Sequence, residues 1–195
     1  MFRYFAIYKP FQMLSQFTSE GGKPCLKDLY DFPKDVYSIG RLDYDSEGLL
    51  IITNDSRLNH LLAHPKFEHT KQYYVQVEGN ATAEAVRNLS EGVEISIKGQ
   101  KYLTKKAAVE LIDEPVLPER IPPIRYRKSI PTSWLKIAIG EGKNRQLRRM
   151  VASVGLPALR VVRFVICDLD LSRLGGLPVK EFSADEIYNY CKVCG

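Results

Sequence analysis

The chain has 195 residues, of which 45% are apolar, which suits one large domain or two small lobes around an ordinary core. It has no apolar run of the about 18 residues that cross a membrane, no signal-peptide pattern and too few cysteines for a disulfide framework, so we expect a cytoplasmic protein. Residues 1–114 carry 14 Lys and Arg against 16 Asp and Glu, whereas residues 115–195 carry 14 against 7, which favours nucleic acid as a partner of the C-terminal half.

Two strands are predicted before residue 55. Tyr4–Tyr8 is a short apolar segment that ends at Lys9-Pro10 and favours a strand entering a loop. LLIITN, residues 49–54, is a continuous run of β-favouring residues, which predicts a strand buried on both faces. Three leucines at helical spacing then predict a helix that ends at Pro65.

The segment KQYYVQVEG predicts a strand, because its residues alternate so that Tyr73, Val75 and Val77 share one face. Such a face usually packs in a core, although the ring of Tyr73 could also present its flat surface in a cleft. Residues 81–90 predict a helix, and VEISI and AAVELI predict two strands that pair with each other.

Five prolines between Asp113 and Pro131 exclude a regular helix or strand and predict a long, stiff connection. The same segment contains Arg120, Arg125 and Arg127. The sequence leaves two interpretations of these charges open: a linker between lobes with solvated side chains, or a segment that contacts a ligand.

A strand and a two-faced helix are predicted after this connection. SWLKIAIG predicts the strand, and GKNRQLRRMVASVG predicts the helix, with Asn144 as its N-cap and Gly155 as its stop. The residues at core spacing are Leu147, Met150, Val151 and Val154. The other side of the first turns carries Arg145, Arg148 and Arg149. Mostly antiparallel strands with interspersed helices predict an α+β fold.

The stretch GRLDYDSEGLLIITND places four charged residues directly before a buried strand: Arg41, Asp43, Asp45 and Glu47. The point where a strand meets a loop often carries functional groups. Two aspartates two residues apart could act as an acid/base pair, but acids of a surface turn are the commoner interpretation. An arginine of the cationic helix could lie beside one carboxylate and keep it ionised.

Five sequence blocks in order carry a resemblance to a known family. The acidic stretch resembles the signature G-R-L-D-x-x-[ST]-x-G-L-L of RsuA-like RNA pseudouridine synthases, and YKPFQMLSQF, KQYYVQVEG, IPPIRYRKSIPTSWLKI and EGKNRQLRRM are similar to further blocks. The resemblance covers residues 5–173. It implies a twisted, mostly antiparallel sheet with flanking helices and a central basic cleft. It also implies isomerisation of a uridine in large-subunit ribosomal RNA, without cofactor or metal.

The resemblance assigns roles to individual residues. Asp43 matches the catalytic aspartate, which acts beside C1′ of the ribose as nucleophile or base. Arg148 matches the arginine that pairs with this aspartate, and Tyr73 matches the tyrosine that stacks on the uracil and helps to remove the C5 proton. Arg41 matches the arginine that fills the space left by the flipped-out nucleotide. Further RNA contacts are expected from Lys71, Arg125, Arg127, Arg145, Arg149 and Arg163.

The domain organisation follows from the same resemblance. We expect a catalytic domain over residues 1–175, with two lobes and a hinge near 113–132, followed by an extension over residues 176–195. We expect no small S4-type RNA-binding module of the kind that precedes the catalytic domain in many relatives, because the resemblance to the catalytic region begins almost at once. RNA recognition is therefore expected from the catalytic domain itself.

Some positions depart from the family pattern. Asp45 and Glu47 match no catalytic residue and are interpreted as turn acids that orient the loop. Val161 and Val165 stand where many relatives have arginine and glycine, so local RNA contacts are expected to differ there.

Two further expectations concern thiols and assembly. The C-x-x-C pair of Cys191 and Cys194 is interpreted as reduced, exposed thiols rather than half of a zinc site, because two further ligands have no obvious source. No coiled coil is evident, so a monomer is expected. The main alternative function is a catalytically inactive rRNA-binding or ribosome-assembly protein on the same fold. A glycoside hydrolase is disfavoured by the basic charge expected of the cleft.

Overall fold

The computed structural model describes residues 1–67, 69–125, 127 and 129–192. The strands are β1 (Tyr4–Lys9), β2 (Tyr37–Ser38), β3 (Glu47–Thr53), β4 (Lys71–Glu78), β5 (Glu94–Ile97), β6 (Gln100–Leu103), β7 (Ala108–Ile112), β8 (Thr132–Ile139), β9 (Ala158–Ile166), β10 (Leu169–Asp170) and β11 (Val179–Phe182). The α-helices are α1 (Ser56–Ala63), α2 (Ala83–Glu91), α3 (Gln146–Ser153) and α4 (Ala184–Cys191). Single 3-10 turns cover Leu26–Asp28, Pro65–Phe67 and Leu171–Leu174. The predicted α+β class is confirmed.

The chain divides into two compact units. The first contains Met1–His69 and Arg163–Gly195, and the second contains Thr70–Val162. The hinge predicted near 113–132 lies inside the second unit. The segment set apart by sequence as an extension supplies β11 and α4 to the first unit.

In the first unit, β1 lies between β3 and β11 and is antiparallel to both. Ile7 of β1 is opposite Leu50 of β3 on one side and Val179 of β11 on the other. The short strand β2 pairs with the end of β3, and the end of β9 pairs with β10.

Both faces of β1 and β3 are buried. Ala6 and Ile51 belong to a core that includes residues of α1 and α4, whereas Ile7 and Leu50 belong to a second core that includes Met13 and Leu26. A strand covered on both faces needs apolar residues at successive positions, which explains the unbroken run in β3. The prediction of a fully buried strand is confirmed, although the strand begins at Glu47 rather than at Leu49.

The N-terminus of α1 is held by a buried carboxylate. Asp55 accepts hydrogen bonds from the backbone N–H groups of Arg57 and Leu58, which satisfies two amides of the first turn. Its other oxygen accepts from the hydroxyls of Tyr4 and Tyr188, at 2.9 and 2.8 Å. A single side chain therefore connects β1, α1 and α4.

In the second unit, β8 lies between β4 and β7, and both pairings are antiparallel. The predicted pairing of VEISI with AAVELI is wrong, because β5 pairs with β6 and β7 pairs with β8. Lys98 and Gly99 both have positive φ, which is the geometry of a tight two-residue hairpin turn. This local turn joins β5 to the next segment and leaves β7 to extend the sheet at β8.

Helix α3 begins later than predicted. Asn144 is not its N-cap, because the helix starts at Gln146 and the capping position is Arg145, with a left-handed backbone and no capping side chain. Gln146 instead accepts from the N–H of Lys143 and donates to Glu141, which fixes the entry to the helix. The predicted core stripe is confirmed for Leu147, Met150 and Val151, which are buried, while Val154 is half-buried.

The described part of residues 113–131 contains no helix or strand, as the prolines predicted. Arg160 of β9 donates to the carbonyl of Pro118 at 2.7 Å, so a buried guanidinium ties this connection to the sheet. Across the described ranges, none of the helices has the length and apolar character needed to pass through a lipid bilayer.

Candidate active site

The loop that carries Asp43 is fixed by its own backbone and by a distant serine. The hydroxyl of Ser15 donates to the carbonyl of Leu42 at 2.9 Å and accepts from the N–H of the same residue at 3.0 Å. The N–H of Ser46 donates to the carbonyl of Asp43, which closes the turn. Leu42 and Ser46 are buried, whereas Asp43 is half-buried. The carboxylate therefore stands on an anchored backbone at the protein surface.

A buried lysine lies near this loop. The side chain of Lys9 has no exposed surface, and its Nζ donates to the carbonyls of Pro10 and Met13 at 2.9 and 2.8 Å. Burial lowers the pKa of Lys9 to about 8, although the negative charges of Glu47, Asp45 and Asp43 act in the opposite direction. Lys9 was not among the residues singled out from the sequence. A lysine that ends an apolar strand was the only available signal.

The interpretation of Glu47 as a turn acid is wrong. Glu47 is the first residue of β3, is 2% exposed, and accepts a hydrogen bond from the hydroxyl of Tyr8 at 2.9 Å. Asp45 stays on the loop and is half-buried. The three acids between Arg41 and Gly48 thus occupy two environments, a buried strand for Glu47 and an accessible loop for Asp43 and Asp45.

Arg163 also lies in the interior of the first unit. It is 5% exposed, and its Nε donates to the carbonyl of Leu49 at 2.8 Å. The backbone of Arg163 lies so close to Gly48 that a Cβ at this glycine would overlap the Arg163 carbonyl oxygen. Arg163 therefore holds the backbone of β3, away from the surface on which it was predicted to contact RNA. Arg41 is exposed on the loop, as its predicted role of filling the space left by a flipped-out nucleotide requires.

In the second unit, Tyr73 and Lys71 stand near the start of β4. Tyr73 is 9% exposed and lies opposite Ile137 of β8, on the face that it shares with Val75 and Val77. This alternation is the one predicted from the sequence. Lys71 is half-buried at the first position of the strand. Tyr73 therefore exposes only a small part of its surface.

Arg145, which precedes α3, and the two arginines within α3 differ in their surroundings. Arg148 is half-buried and its Nη1 donates to the carbonyl of Ala158 at 3.2 Å. Arg149 donates to the carbonyls of Asn144 and Ser96, so it connects α3 with β5. Arg145 is exposed. Of the three, Arg145 is therefore the most accessible to a ligand.

The remaining predicted contact residues lie in the proline-rich connection. Arg125 and Arg127 are both exposed, and Arg127 forms an ion pair with Glu78 at 3.2 Å. Both arginines line the same pocket of the second unit. The predicted pairing of Asp43 with Arg148 concerns residues of different units.

The interpretation of Cys191 as an exposed thiol is wrong. This residue is fully buried in α4, and burial raises the pKa of its thiol. Cys194 lies outside the described residues. Cys167 Sγ lies 3.4 Å from Nδ1 of His69. Within the described ranges, no group of three or more His, Cys, Asp or Glu side chains is arranged to hold a metal ion.

The chain is similar to known proteins both in sequence and in structure. Residues 3–153 match the family model described as RNA pseudouridylate synthase. A ribosomal large subunit pseudouridine synthase E of Vibrio parahaemolyticus is 48% identical over 166 residues, which is 85% of this chain and 68% of that protein. The protein of the same name from Xanthomonas axonopodis pv. citri is 47% identical over 169 residues, 85% of this chain and 86% of that protein. A solved pseudouridylate synthase superposes with a TM-score of 0.78 at 25% identity, covering 97% of this chain and 74% of that one.

Proposed function

Because the chain belongs to the RNA pseudouridylate synthase family, we propose that it isomerises a specific uridine of large-subunit ribosomal RNA to pseudouridine. In this reaction the bond from N1 of uracil to C1′ breaks, the base turns, and C5 bonds to C1′. C5 loses its proton and N1 gains one, so the atoms balance without a cofactor. The names of the relatives that are 47–48% identical support the choice of RNA.

The observation that carries the proposal is the anchored position of Asp43. Ser15 fixes the preceding residue and the N–H of Ser46 closes the turn that follows, so the backbone that carries the Asp43 carboxylate is held by the protein's own hydrogen bonds. A preorganised charged oxygen stabilises a transition state without reorganisation during the reaction. Asp43 acts beside C1′, either as a nucleophile or as a base that removes a sugar proton.

Tyr73, Arg148 and Arg41 complete the proposed site. Tyr73 is proposed to contact the uracil and assist in removing the C5 proton. Arg148 is proposed to pair with Asp43 and to keep this carboxylate ionised, while its Nη1 also donates to the carbonyl of Ala158. Arg41, which is exposed beside Asp43, is proposed to fill the gap left by the extruded nucleotide.

Contacts to the RNA backbone offset the few kcal/mol that extruding a nucleotide costs. We assign these contacts to the accessible cations of the predicted set, Arg125, Arg127, Arg145 and Lys71. Arg149 and Arg163 donate to backbone carbonyls, so their proposed part is to hold the strands and the helix that carry the site. The protein is proposed to act as a monomer.

The test compares Asp43→Asn with Asp45→Asn, a matched change of the same side chain on the same loop. Large-subunit ribosomal RNA labelled with tritium at C5 of uridine is the substrate, and released tritium reports the reaction. We expect Asp43→Asn to lower the release rate by at least about 10²-fold while RNA binding stays within about tenfold of wild type. Asp45→Asn should keep most of the activity.

Two outcomes would contradict the proposal. Release of tritium by Asp43→Asn at the wild-type rate would exclude Asp43 as the catalytic group. RNA binding by the wild type without tritium release would support the alternative of an inactive rRNA-binding or ribosome-assembly protein.

A further inference from the structure

A pocket of about 540 Å³ lies in the second unit, at the end of β4 and the start of β8. Gln76 and Glu78 of β4 and Thr132 of β8 form its strand side, and the proline-rich connection forms its other wall. Its volume falls within the about 300–1,000 Å³ that is usual for sites of small ligands. None of its residues was assigned to the catalytic steps above.

The charge of the pocket selects an anion. Arg120, Arg125 and Arg127 line it, and Glu78 is the one acid among its described lining residues. Glu78 is engaged by Arg127 at 3.2 Å, which leaves the lining positive overall. Arg125 is exposed, so its guanidinium can meet a ligand from solvent. A planar guanidinium fits phosphate oxygens with two parallel hydrogen bonds.

The same pocket has an apolar side. Ile124, Ile130 and Leu159 line it and are half-buried, so they present apolar surface to an occupant. Gln76 adds an amide that can both donate and accept hydrogen bonds. An apolar wall beside guanidinium groups matches a nucleotide, which has a flat base and a phosphate, better than it matches an acidic peptide.

The walls of the pocket are held in place. Arg160 is buried and donates to the carbonyl of Pro118, which fixes the connection against β9. Ala158, a lining residue, accepts a hydrogen bond from Arg148, the arginine of the proposed catalytic set. A preformed pocket limits the ordering cost of binding.

The pocket is separate from the place proposed for the target base. Gln76 and Glu78 point to the opposite face of β4 from Tyr73, because successive side chains of a strand alternate. One nucleotide cannot contact both faces of the strand. We infer that this pocket binds one unpaired nucleotide of the RNA other than the target uridine, with its phosphate on Arg125 and Arg120 and its base against Ile124 and Ile130.

This inference rests on the proposed function, since it names a second contact with the same RNA. Such a contact would select the RNA by the position of an unpaired nucleotide at a fixed distance from the target. Unstacked nucleotides are the parts of RNA that proteins recognise most specifically. The pocket is then a determinant of which uridine is modified.

The test measures binding of a large-subunit rRNA fragment that contains the target, with Arg125→Ala and Ile124→Ala in the inactive Asp43→Asn background. Arg87→Ala is the matched control, because Arg87 is also an exposed arginine of the second unit, on α2. A single-strand phosphate contact contributes about 0.7 to the slope of log K against log salt. We expect Arg125→Ala to weaken binding about fivefold at 0.1 M salt and to reduce the magnitude of this slope by about 0.7.

Ile124→Ala should weaken binding at every salt concentration without changing the slope, because it removes an apolar contact. Equal affinity and slope for Arg125→Ala and Arg87→Ala would overturn the inference. A normal affinity for Ile124→Ala would also overturn it, since a phosphate alone would then occupy the pocket. Tritium release by the wild-type protein with this fragment tests the proposed function independently, because the binding variants carry no catalytic aspartate.

Discussion

Replacing Lys9 by methionine should remove a pH dependence of stability that the buried ammonium group creates. Burial lowers the pKa of Lys9 from its ordinary value of 10.5 to about 8, against the charges of Glu47, Asp45 and Asp43, while Arg163 adds to the lowering. Between these two pH values the unfolded chain holds a proton on Lys9 that the folded chain has released. Stability therefore rises with pH across this window, because the unfolded state binds more protons.

The magnitude follows from the size of the shift. At about 1.4 kcal/mol per pKa unit, the contribution of Lys9 to the free energy of unfolding changes by on the order of 3 kcal/mol between pH 8 and pH 10.5. Lys9→Met loses the hydrogen bonds to the carbonyls of Pro10 and Met13, which lowers its free energy of unfolding by an amount that does not depend on pH. The methionine has no proton to release.

Urea unfolding of both proteins at a series of pH values isolates the pH-dependent contribution of Lys9 to the free energy of unfolding. The difference in free energy of unfolding, wild type minus Lys9→Met, should increase steadily from pH 7.5 to pH 10.5. A difference that stays flat, or one that decreases, would show that Lys9 is not a buried ammonium group with a lowered pKa.

Two further substitutions test other contacts of the first unit. Gly48→Ala should destabilise the protein by at least about 2 kcal/mol and lower its activity. The reason is that Gly48 has a φ of +107° and that the new Cβ would overlap the carbonyl of Arg163. Thermal unfolding measures the loss of stability, and tritium release measures the loss of activity. Asp55→Asn should cost about 1–3 kcal/mol near pH 7, because the buried carboxylate accepts from Tyr4, Tyr188 and two amides. Burial alone would raise the pKa of Asp55, but these hydrogen bonds lower it below its ordinary value of 3.8. The carboxylate therefore stabilises the folded state fully above pH 3.8, and this stabilisation is lost as the pH falls through the lower pKa of the folded state. The difference between wild type and Asp55→Asn should therefore shrink in acid, and an unchanged difference at pH 2.5 would argue against an ionised Asp55.

Local patterns were sufficient where one physical property decides the structure. The unbroken apolar run of β3 required a strand with two covered faces, and the alternation in β4 placed Tyr73 with Val75 and Val77. The spacing of Leu147, Met150 and Val151 defined the buried side of α3. These properties belong to short segments, so the sequence of each segment contains them.

Pairing and capping depended on backbone geometry that residue type specifies weakly. The turn at Lys98 and Gly99 joined β5 to β6, although the apolar pattern alone allowed a pairing with β7. The left-handed backbone of Arg145 moved the start of α3 past Asn144, the residue with the better capping side chain. In both cases a non-glycine residue adopts a positive φ, which its type does not predict.

The burial of charged side chains depended on partners that are distant in sequence. Arg163 bonds to the carbonyl of Leu49, 114 residues earlier, and Glu47 accepts from Tyr8, 39 residues earlier. A sequence pattern that assigns charged residues to the surface cannot identify such pairs. The same limitation hid Lys9, whose bonds are local but whose burial results from the assembly of the whole unit.

These buried partners explain why an acid-rich stretch can precede a fully buried strand. The negative charges of Glu47, Asp45 and Asp43 favour the charged form of Lys9, whereas the positive charge of Arg163 disfavours it, so charges of both signs meet at this lysine. Glu47 satisfies its carboxylate with Tyr8 inside the unit, whereas Ser15 and Ser46 hold the backbone around Asp43 near solvent. Of three neighbouring acids, burial removes one from reach of any substrate. In the proposed function Asp43 is the acid that acts at C1′, and the bonds made by Ser15 and Ser46 hold the backbone on which it stands.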